Sequence, residues 1–464
     1  MIRNLAVVSL AAVCACASAQ TAPRPGSAAS ADTQALDILK TSLAIPTVQG
    51  QGNVPKLAAY ITGVLQDAGY AAGDIRFTPM GETGYLTARY PGADSSKKPI
   101  AIIGHMDVVA ARREDWERDP FTPVIEKGYL FGRGSSDNKG DVSMVVATLA
   151  KLKRSGWKPA RDVILGLSGD EETEQYTAAK MAEELKNAEL VLNDDAGGGR
   201  LDEAGKPTGY GIQVAEKTYA DFSLTVTDPG GHSSLPTKTN AIYRLTTALQ
   251  KLSAYAFPVM RSEVVVAMFK AVGPIQGGPI GEAMVRYARD PHDTAAVQLL
   301  SDEPSTVGQL RTTCVATQIS GGHAPNALPQ RASANVNCRI FPGVPVDDVR
   351  RQLVKIINDP TVIIARTDSG GAAAGASPLR ADVMAAITKG ARERYPGIVV
   401  IPNMSAGATD SIFFRALGVP AYGVSATFGK DSDDFAHGLN ERFPLANLGP
   451  GTKQWETVIR ELAK

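Results

Sequence analysis

The sequence predicts an α/β protein in which helices cover a largely parallel mixed sheet, with a smaller α+β domain inserted into the main one. Continuous apolar runs of strand length, such as 99–103, alternate with segments of helical periodicity, such as 142–152. Between about 219 and 366 the strands instead alternate apolar and polar residues. Strands buried on both faces are typical of parallel sheets, whereas alternating strands indicate a sheet with one exposed face.

The first part of the main domain is predicted at 34–218. It begins with helical periodicity at 34–43 and 54–68. Short strands follow at 74–77, 85–90, 99–103, 163–167 and 190–192. The helix at 142–152 places apolar residues at i, i+3, i+4 and i+7, which gives it one face for the sheet.

The inserted domain is predicted at 219–366. Its strands are expected at 219–227, 314–319, 332–340 and 361–365, and its helices at 240–252 and 346–357. The segment 252–311, with a predicted helix at 283–288, is longer than a compact insertion needs. The main domain resumes at 367–464, with a helix at 381–394 and a strand at 398–401.

The N-terminus has the pattern of a secretory signal peptide at 1–19. Arg3 precedes a short apolar run, and Ala17, Ser18 and Ala19 fit the small-residue cleavage rule. Residues 20–33 are rich in Ala, Pro and Ser and predict a flexible linker. We therefore expect a periplasmic or secreted protein cleaved near Ala19; a lipoprotein anchor at Cys16 is the weaker alternative.

Composition excludes several classes of partner. The 464 residues include 48 basic and 48 acidic side chains, so the net charge is zero, and nucleic acid is disfavoured. No apolar run reaches about 18 residues, which predicts no membrane span. Signal cleavage would leave Cys314 and Cys338. Export permits a disulfide between them, and two free buried thiols fit the sequence equally well.

Five polar clusters carry the candidate chemistry, and three of them directly follow a predicted strand. Open α/β sheets bind ligands beyond the carboxyl ends of their strands, so we expect these clusters to converge. Their acidic and histidine members are His105 and Asp107, Asp137, Glu171 and Glu172, Asp194 and Asp195, and His437.

Imidazoles and carboxylates without cysteine suit zinc, and Co²⁺ or Mn²⁺ share this ligand preference. Two cations about 3.5–4 Å apart need one carboxylate that bridges them. A short Asp side chain is well suited to present both oxygens.

In this ordered set of motifs, the chain resembles the co-catalytic dizinc exopeptidase and deacylase superfamily, which includes glutamate carboxypeptidase, aminoacylase, carnosinase and succinyl-diaminopimelate desuccinylase. The resemblance covers about residues 34–464. It implies two Zn²⁺ per chain. It implies that one metal is held by His105, Asp137 and Asp195, and the other by Glu172, Asp137 and His437. Asp194 is the less favoured alternative to Asp195 as this ligand.

The resemblance also implies the residues that act around the metals. Glu171 corresponds to the general base, and Asp107 orients His105. The bond between Asp137 and Asn138 is expected to be cis. The inserted domain would be a lid and dimerisation domain, and His232 would reach the active site of a partner subunit as an oxyanion donor in a homodimer.

The resemblance further assigns Asn326, Arg339, Gly407 and Thr409 to substrate binding, with Asn326 and Arg339 on the substrate carboxylate. Arg binds carboxylates through two parallel hydrogen bonds. A turn role for Asn326 and a surface charge role for Arg339 are the plainer alternatives. His292 and His323 match no motif and are interpreted as structural or surface residues.

These assignments predict an exported metallopeptidase, a carboxypeptidase or dipeptidase, that cleaves a peptide bond next to a free terminal carboxylate. An amidohydrolase acting on an N-acyl amino acid is the alternative, since its substrate also ends in a carboxylate. A non-catalytic binding protein on the same scaffold is a third reading, but such a relative is expected to lack Glu171 or a ligand, and all are present here.

Overall fold

The computed structural model describes residues 30–368 and 372–464. The predicted signal peptide at 1–19 lies outside these residues, as does most of the predicted linker at 20–33. The first helix, α1 (Ala31–Leu43), begins at Ala31 rather than at residue 34, so the end of the predicted linker is helical. Within the described residues, no helix has the length and apolar content to cross a bilayer.

The chain up to the insertion forms α1, α2 (Val54–Asp67), β1 (Ile75–Met80), β2 (Thr83–Tyr90), β3 (Ile100–His105), β4 (Val124–Glu126), β5 (Tyr129–Phe131), α3 (Lys139–Arg154), β6 (Val163–Ser168), α4 (Tyr176–Glu184), β7 (Leu190–Asn193), β8 (Gly198–Leu201) and β9 (Pro207–Glu216).

The middle of the chain forms β10 (Thr218–Thr227), β11 (Gly231–His232), α5 (Ala241–Ser253), α6 (Glu263–Gln276), α7 (Gly278–Arg289), α8 (Thr294–Asp302), α9 (Pro304–Leu310), β12 (Thr313–Gly321), β13 (Ala327–Leu328), β14 (Arg331–Ile340), α10 (Val346–Ile357) and β15 (Val362–Arg366).

The C-terminal part forms α11 (Ala381–Arg394), β16 (Val400–Ser405), α12 (Ser411–Ala416), β17 (Ala421–Gly423), β18 (Phe428–Lys430), β19 (Arg442–Pro444) and α13 (Leu448–Leu462).

The main sheet is mixed, and its centre is parallel as predicted. Its order is β1-β2-β6-β3-β7-β17-β9-β8-β18, with β16 beside β9. The neighbours β6, β3, β7 and β17 are parallel. Strands β1 and β2 pair antiparallel, and β2 pairs antiparallel with β6. Strand β8 is antiparallel to β9 and parallel to β18. Every residue of β3 is buried, which agrees with its continuous apolar run.

Helices cover both faces of this sheet. Ile100 and Ile102 of β3 share a core with α1, α3 and α13. The alternate residues Ala101 and Ile103 share a second core with α4 and α12. Successive side chains of a strand point to opposite faces, so the two helix groups lie on opposite sides of the sheet.

A second, separate sheet has the order β12-β14-β10-β15, and all its neighbours are antiparallel. Residues of β10 alternate between buried and half-buried, and the buried ones pack with α5 and α10. Cys314 of β12 and Cys338 of β14 occupy paired positions and form a disulfide. Of the two states that the sequence allowed for these cysteines, the structure therefore has the bonded one.

The long segment between α5 and β12 does not enlarge this second sheet. It contains α6 to α9, of which the sequence predicted only the region of α7. Phe269, Tyr287 and Leu300 join the core of the main domain, and α6 packs beside β16. The stretch predicted as one insertion at 219–366 thus contributes to two hydrophobic cores.

Candidate active site

Three of the polar clusters meet because their strands are neighbours. His105 ends β3, Glu171 and Glu172 follow β6, and Asp195 follows β7. These strands are adjacent and parallel, with β3 between the other two. Their carboxyl ends therefore lie at one edge of the sheet, as the sequence predicted.

His105 is held in one orientation by its own loop. Its Nδ1 lies 3.1 Å from the carbonyl oxygen of Asp107, which must accept a hydrogen, so Nδ1 donates. Nε2 then faces Asp137 Oδ1 at 3.0 Å and Asp195 Oδ1 at 3.5 Å. Burial by itself lowers the pKa of His105, but the carboxylates around it, first of all Asp195, raise that pKa well above its ordinary value.

His437 faces the other oxygen of Asp137. Its Nε2 lies 3.2 Å from Asp137 Oδ2 and 2.9 Å from Glu172 Oε2. Hydrogen bonds to these two carboxylates raise the pKa of His437 to about 10. Burial raises the pKa of Asp137, but its hydrogen bonds to the two imidazoles outweigh burial, and the pKa is lowered.

Asp137 therefore presents one oxygen to each of two imidazoles that come from distant parts of the chain. The bond between Asp137 and Asn138 is cis, as the sequence led us to expect.

Asp107 fixes the loop that follows β6. Its Oδ1 accepts from the backbone N–H of Glu171 at 3.1 Å, and its Oδ2 accepts from that of Glu172 at 3.0 Å. Glu171 Oε1 accepts from Gln175 Nε2 at 3.3 Å. Burial raises the pKa of Glu171 well above its ordinary value.

The two neighbouring aspartates differ in placement. Asp195 faces His105, and burial raises its pKa to about 6. Asp194 is fully buried, and neither carboxylate oxygen has a hydrogen-bond donor within the described part of the chain. A Cβ at Gly104 would lie 2.3 Å from Asp194 Oδ1, so only glycine fits beside it. The geometry favours Asp195 over Asp194 as a ligand.

The donors fit a pair of divalent cations. His105 groups with Asp137 and Glu172, and also with Glu171 and Asp195, with the ligand atoms of each group within 4.8 Å of one another. Clustered carboxylates repel one another unless cations lie between them, and imidazole and carboxylate donors suit zinc.

Two of the predicted residues in the inserted segment, His232 and Asn326, lie in chain segments that contact each other. His232 of β11 is paired with Ala327 of β13, and Asn326 O accepts from the N–H of Ser233 at 3.1 Å. His232 Nδ1 contacts Ser234 Oγ at 2.7 Å, and the His232 side chain is exposed. The hydrogen bonds of His232 are thus local, and its role in a neighbouring subunit stays a prediction.

Of the other three substrate candidates, Gly407 and Thr409 lie in the loop at 405–410, and Arg339 of β14 contacts that loop. Arg339 Nη1 donates to Ala406 O at 2.8 Å, and the N–H of Gly407 donates to Ser405 Oγ at 2.9 Å. Thr409 is buried, and its hydroxyl donates to Glu216 Oε2 at 2.9 Å. The structure brings Arg339 and Gly407 together, but it turns the Thr409 hydroxyl into the protein.

Sequence reasoning missed Asp410. This buried side chain accepts a hydrogen bond from Ser168 Oγ at the end of β6. Burial raises the pKa of Asp410 to about 8. The hydrogen bond from Ser168 ties the 405–410 loop to β6, the strand that precedes Glu171. The sequence signal that could have identified Asp410 was its position directly after Thr409 and before a helix. An Asp in that position is also an ordinary helix cap.

Residues 101–461 match the model of the family described as Peptidase family M20/M25/M40. The chain belongs to this family. The match spans all the predicted site residues, and it confirms the resemblance that the motifs indicated. Like other members of the M20 family, the chain is a metal-dependent hydrolase.

Named relatives of this M20 chain differ in their activities. It is 27% identical over 377 residues to the probable carboxypeptidase S-like 2 of Dictyostelium discoideum, which covers 78% of this chain and 71% of that protein. It is 29% identical over 429 residues to the N-fatty-acyl-amino acid synthase/hydrolase PM20D1 of Xenopus tropicalis, which covers 88% and 82% of the two chains.

A solved structure shares the fold of this M20 chain. The M20 family metallo-carboxypeptidase Sso-CP2 from Sulfolobus solfataricus matches with a TM-score of 0.68 and 20% identity, over 93% of this chain and 99% of that one. The match confirms the predicted fold, a mixed sheet covered by helices.

Proposed function

We propose that this M20 chain is an exported dizinc exopeptidase, a carboxypeptidase or dipeptidase, which cleaves a peptide bond next to a free terminal carboxylate. One observation carries the proposal. The two imidazoles approach opposite oxygens of Asp137, at 3.0 Å for His105 and 3.2 Å for His437. A carboxylate shared in this way is what a two-metal hydrolase needs.

These contacts support the proposed ligand roles. His105, Asp137 and Asp195 would hold one zinc, and Glu172, Asp137 and His437 the other. Two bound cations would lower the pKa of a shared water and polarise the scissile carbonyl. Co²⁺ or Mn²⁺ would fit the same oxygen and nitrogen donors.

Glu171 is proposed as the general base, which accepts the proton of the attacking water and returns it to the leaving nitrogen. Its backbone is held by Asp107, and its side chain belongs to the group with His105 and Asp195. Asp107 also accounts for the orientation of His105, because its carbonyl oxygen accepts from Nδ1.

The substrate carboxylate is proposed to bind at Arg339 and at the N–H groups near Gly407, with Asn326 and Thr409 completing the set. Arg339 lies over the ring of Tyr219, with 4.8 Å from Cζ to the ring centroid. This contact and the bond to Ala406 hold the guanidinium beside the 405–410 loop. Since Thr409 already donates to Glu216, we give it the weakest part in this set.

A cavity of about 370 Å³ beside Asp137 and Asp195 supports a short substrate. Residues that line it include Arg200, Lys430 and Asp434, and its apolar side chains are Ala196, Ala436 and Pro444. Neither Arg339 nor Gly407 lines it, so we place the acyl side of the substrate there. The charged side chains on this wall favour a short or polar acyl side over a long hydrocarbon chain, which is stabilised by burial against apolar groups.

Hydrolysis of an N-acyl amino acid is the second candidate. The relative from Xenopus tropicalis, which bears the name of an N-fatty-acyl-amino acid synthase/hydrolase, favours it. Both reactions would use the same ligands and the same carboxylate site. They differ in the group that occupies the cavity beside Asp137, so substrate choice separates them.

A homodimer through the second sheet would complete the site. Strand β12 is the edge of that sheet and is exposed along most of its length, including Val315 at 58% and Ile319 at 65%. An exposed apolar edge strand is a surface suited to pairing with another copy. His232 would then act as an oxyanion donor in the partner subunit.

The proposed site of action is the periplasm or the exterior, after cleavage near Ala19. The disulfide between Cys314 and Cys338 supports this, because such bonds persist in oxidising compartments. An anchor at Cys16 would keep the enzyme at a membrane surface and is the less favoured alternative.

The test is a mass-spectrometric screen of zinc-loaded enzyme over dipeptides, their C-terminal amides, and short and long N-acyl amino acids. We expect cleavage of dipeptides with a free carboxylate, little cleavage of amides, and little of long acyl chains. The Glu171→Gln enzyme serves as the blank for contaminating peptidases. Preferred turnover of long-chain N-acyl amino acids would replace the peptidase proposal by the deacylase.

A further inference from the structure

We propose that Glu441 and Arg133 are positioning residues that hold the two halves of the metal site together. The inference rests on the proposed function, because it takes Asp137 and His437 as metal ligands. Asp137 follows β5, and His437 precedes β19, so the two ligands belong to loops far apart in the sequence. Nothing in either motif by itself indicates how these loops meet.

The backbone begins the connection. Strands β5 and β19 pair antiparallel, with Phe131 opposite Arg442. The next residue pair continues the ladder, because the N–H of Gly132 donates to Glu441 O at 3.0 Å. In this antiparallel pair, the chain leaves β5 toward Asp137 at the same end at which it enters β19 from His437.

The Glu441 carboxylate fills the space between the two loops. Its Oε1 accepts from Ser136 N at 2.8 Å, from Ser136 Oγ at 2.9 Å and from Asp137 N at 3.1 Å. Its Oε2 accepts from Gly134 N at 2.9 Å and from Arg133 Nη1 at 2.6 Å. The side chain is fully buried. One carboxylate therefore anchors the loop of Asp137 at three backbone N–H groups, those of Gly134, Ser136 and Asp137.

Arg133 extends the contact to His437. Its Nη2 donates to the carbonyl oxygens of His437 at 3.2 Å and Gly438 at 3.1 Å. His437 has a φ of 60°, a left-handed backbone conformation that residues other than glycine rarely adopt. Such a conformation persists where the surroundings hold it, and the planar guanidinium supplies that support.

The hydrogen-bond partners of Glu441 and Arg133 explain why both side chains are charged. All five donors to Glu441 point at acceptor-only oxygens, so the amide nitrogen of a Gln would face N–H groups. A Lys at position 133 would keep a cation beside Glu441, but it would lose the fork that reaches both carbonyls. Both side chains are buried in the protein, so direct contact with substrate is not their role.

The experiment titrates the metal-free full chain with Zn²⁺ against a chromophoric chelator, for wild type, Glu441→Gln, Arg133→Lys and Glu126→Gln. Glu126 lies on β4 of the same small sheet and pairs with Arg118 at the surface, which makes it a matched control. Denaturant unfolding of each metal-free variant reports folding separately.

We expect two tight zinc sites in wild type and in Glu126→Gln. Glu441→Gln should weaken both sites by about 10- to 100-fold, the range for groups that support metal ligands, because Asp137 serves both metals. Arg133→Lys should weaken one site by a similar factor and spare the other, because it releases only the His437 loop.

Wild-type zinc affinity in both variants would overturn the positioning role. A loss of zinc affinity that is fully explained by a loss of folded metal-free chain would also overturn the positioning role. If Glu441→Gln does not fold, the split between sites in Arg133→Lys decides alone. A wild-type chain that binds no zinc would instead refute the proposed function.

Discussion

The two halves of the predicted metal site use the same donor types but are built differently. In the His105 half, His105 and Asp195 follow the adjacent parallel strands β3 and β7, and the His105 side chain is 1% exposed. The His437 half stands on a C-terminal loop, and its side chain is 54% exposed. The comparison teaches that strand order alone brings His105 and Asp195 together, whereas His437, and Asp137 which both halves share, need contacts between distant loops.

The first prediction has the largest expected effect on turnover and should leave both halves intact. Glu171→Gln removes the proposed base without removing a ligand. Turnover should fall by about 10²- to 10⁴-fold, the usual contribution of general acid–base catalysis, while zinc content stays at two per chain. Activity assays with metal analysis of the same samples measure this.

The exposed neighbour Glu174 offers the control, as Glu174→Gln. A variant at Glu171 that keeps most of its activity, or that loses a metal, would remove this residue from the proposed role.

The second prediction tests the difference between the halves directly. His105→Ala removes a fully buried imidazole from the half-buried Asp137 and Asp195, which should cost about 3–5 kcal/mol of metal-free stability, as for broken buried pairs. His437→Ala removes a half-exposed group and should cost about 0–1 kcal/mol. Each variant should lose one zinc.

Denaturant unfolding in the presence of a chelator, followed by zinc analysis of separate samples, checks both parts. Equal losses of stability in the two variants would show that burial does not distinguish the halves.

The third prediction concerns the substrate side. Arg339→Ala should lower kcat/KM for substrates with a free carboxylate by about 10- to 100-fold, since a hydrogen bond to a charged group contributes about 1.5–3 kcal/mol. Matched C-terminal amides should lose far less. The ratio between acid and amide substrates is the measurement.

Arg366→Ala is the control. Arg366 of β15 lies on the same sheet as Arg339 and forms an ion pair with Asp368. Equal losses for acids and amides with Arg339→Ala would mean that this residue only supports the 405–410 loop through Ala406.

The smallest effect on turnover is expected from the second sheet. Replacing Cys314 and Cys338 by Ser removes a cross-link with a sequence separation of 24. Such a loop predicts a loss of about 3 kcal/mol in unfolding free energy. Zinc content should stay at two, because the disulfide lies outside the ligand groups. Thermal unfolding and metal analysis test this, and a loss of zinc would show that the two sheets are coupled.

Much of the fold was predictable because each signal was local. The apolar run at 99–103 predicted a doubly buried strand, and β3 is one. Helix α11 (Ala381–Arg394) has the bounds that its periodicity indicated. The helices α6, α8 and α9 were not predicted, because their apolar residues face a core formed by other parts of the chain.

The sequence by itself determined the family, the parallel centre of the sheet and the identity of the candidate ligands, because these depend on residue types at fixed positions after strands. The tertiary structure alone decided that Cys314 bonds to Cys338 and that Glu441 reaches the loop of Asp137. Each of these is a contact between side chains whose distance depends on how the elements pack. Local patterns report the direction of a side chain along its own strand or helix, but they contain no information on which distant group it will meet.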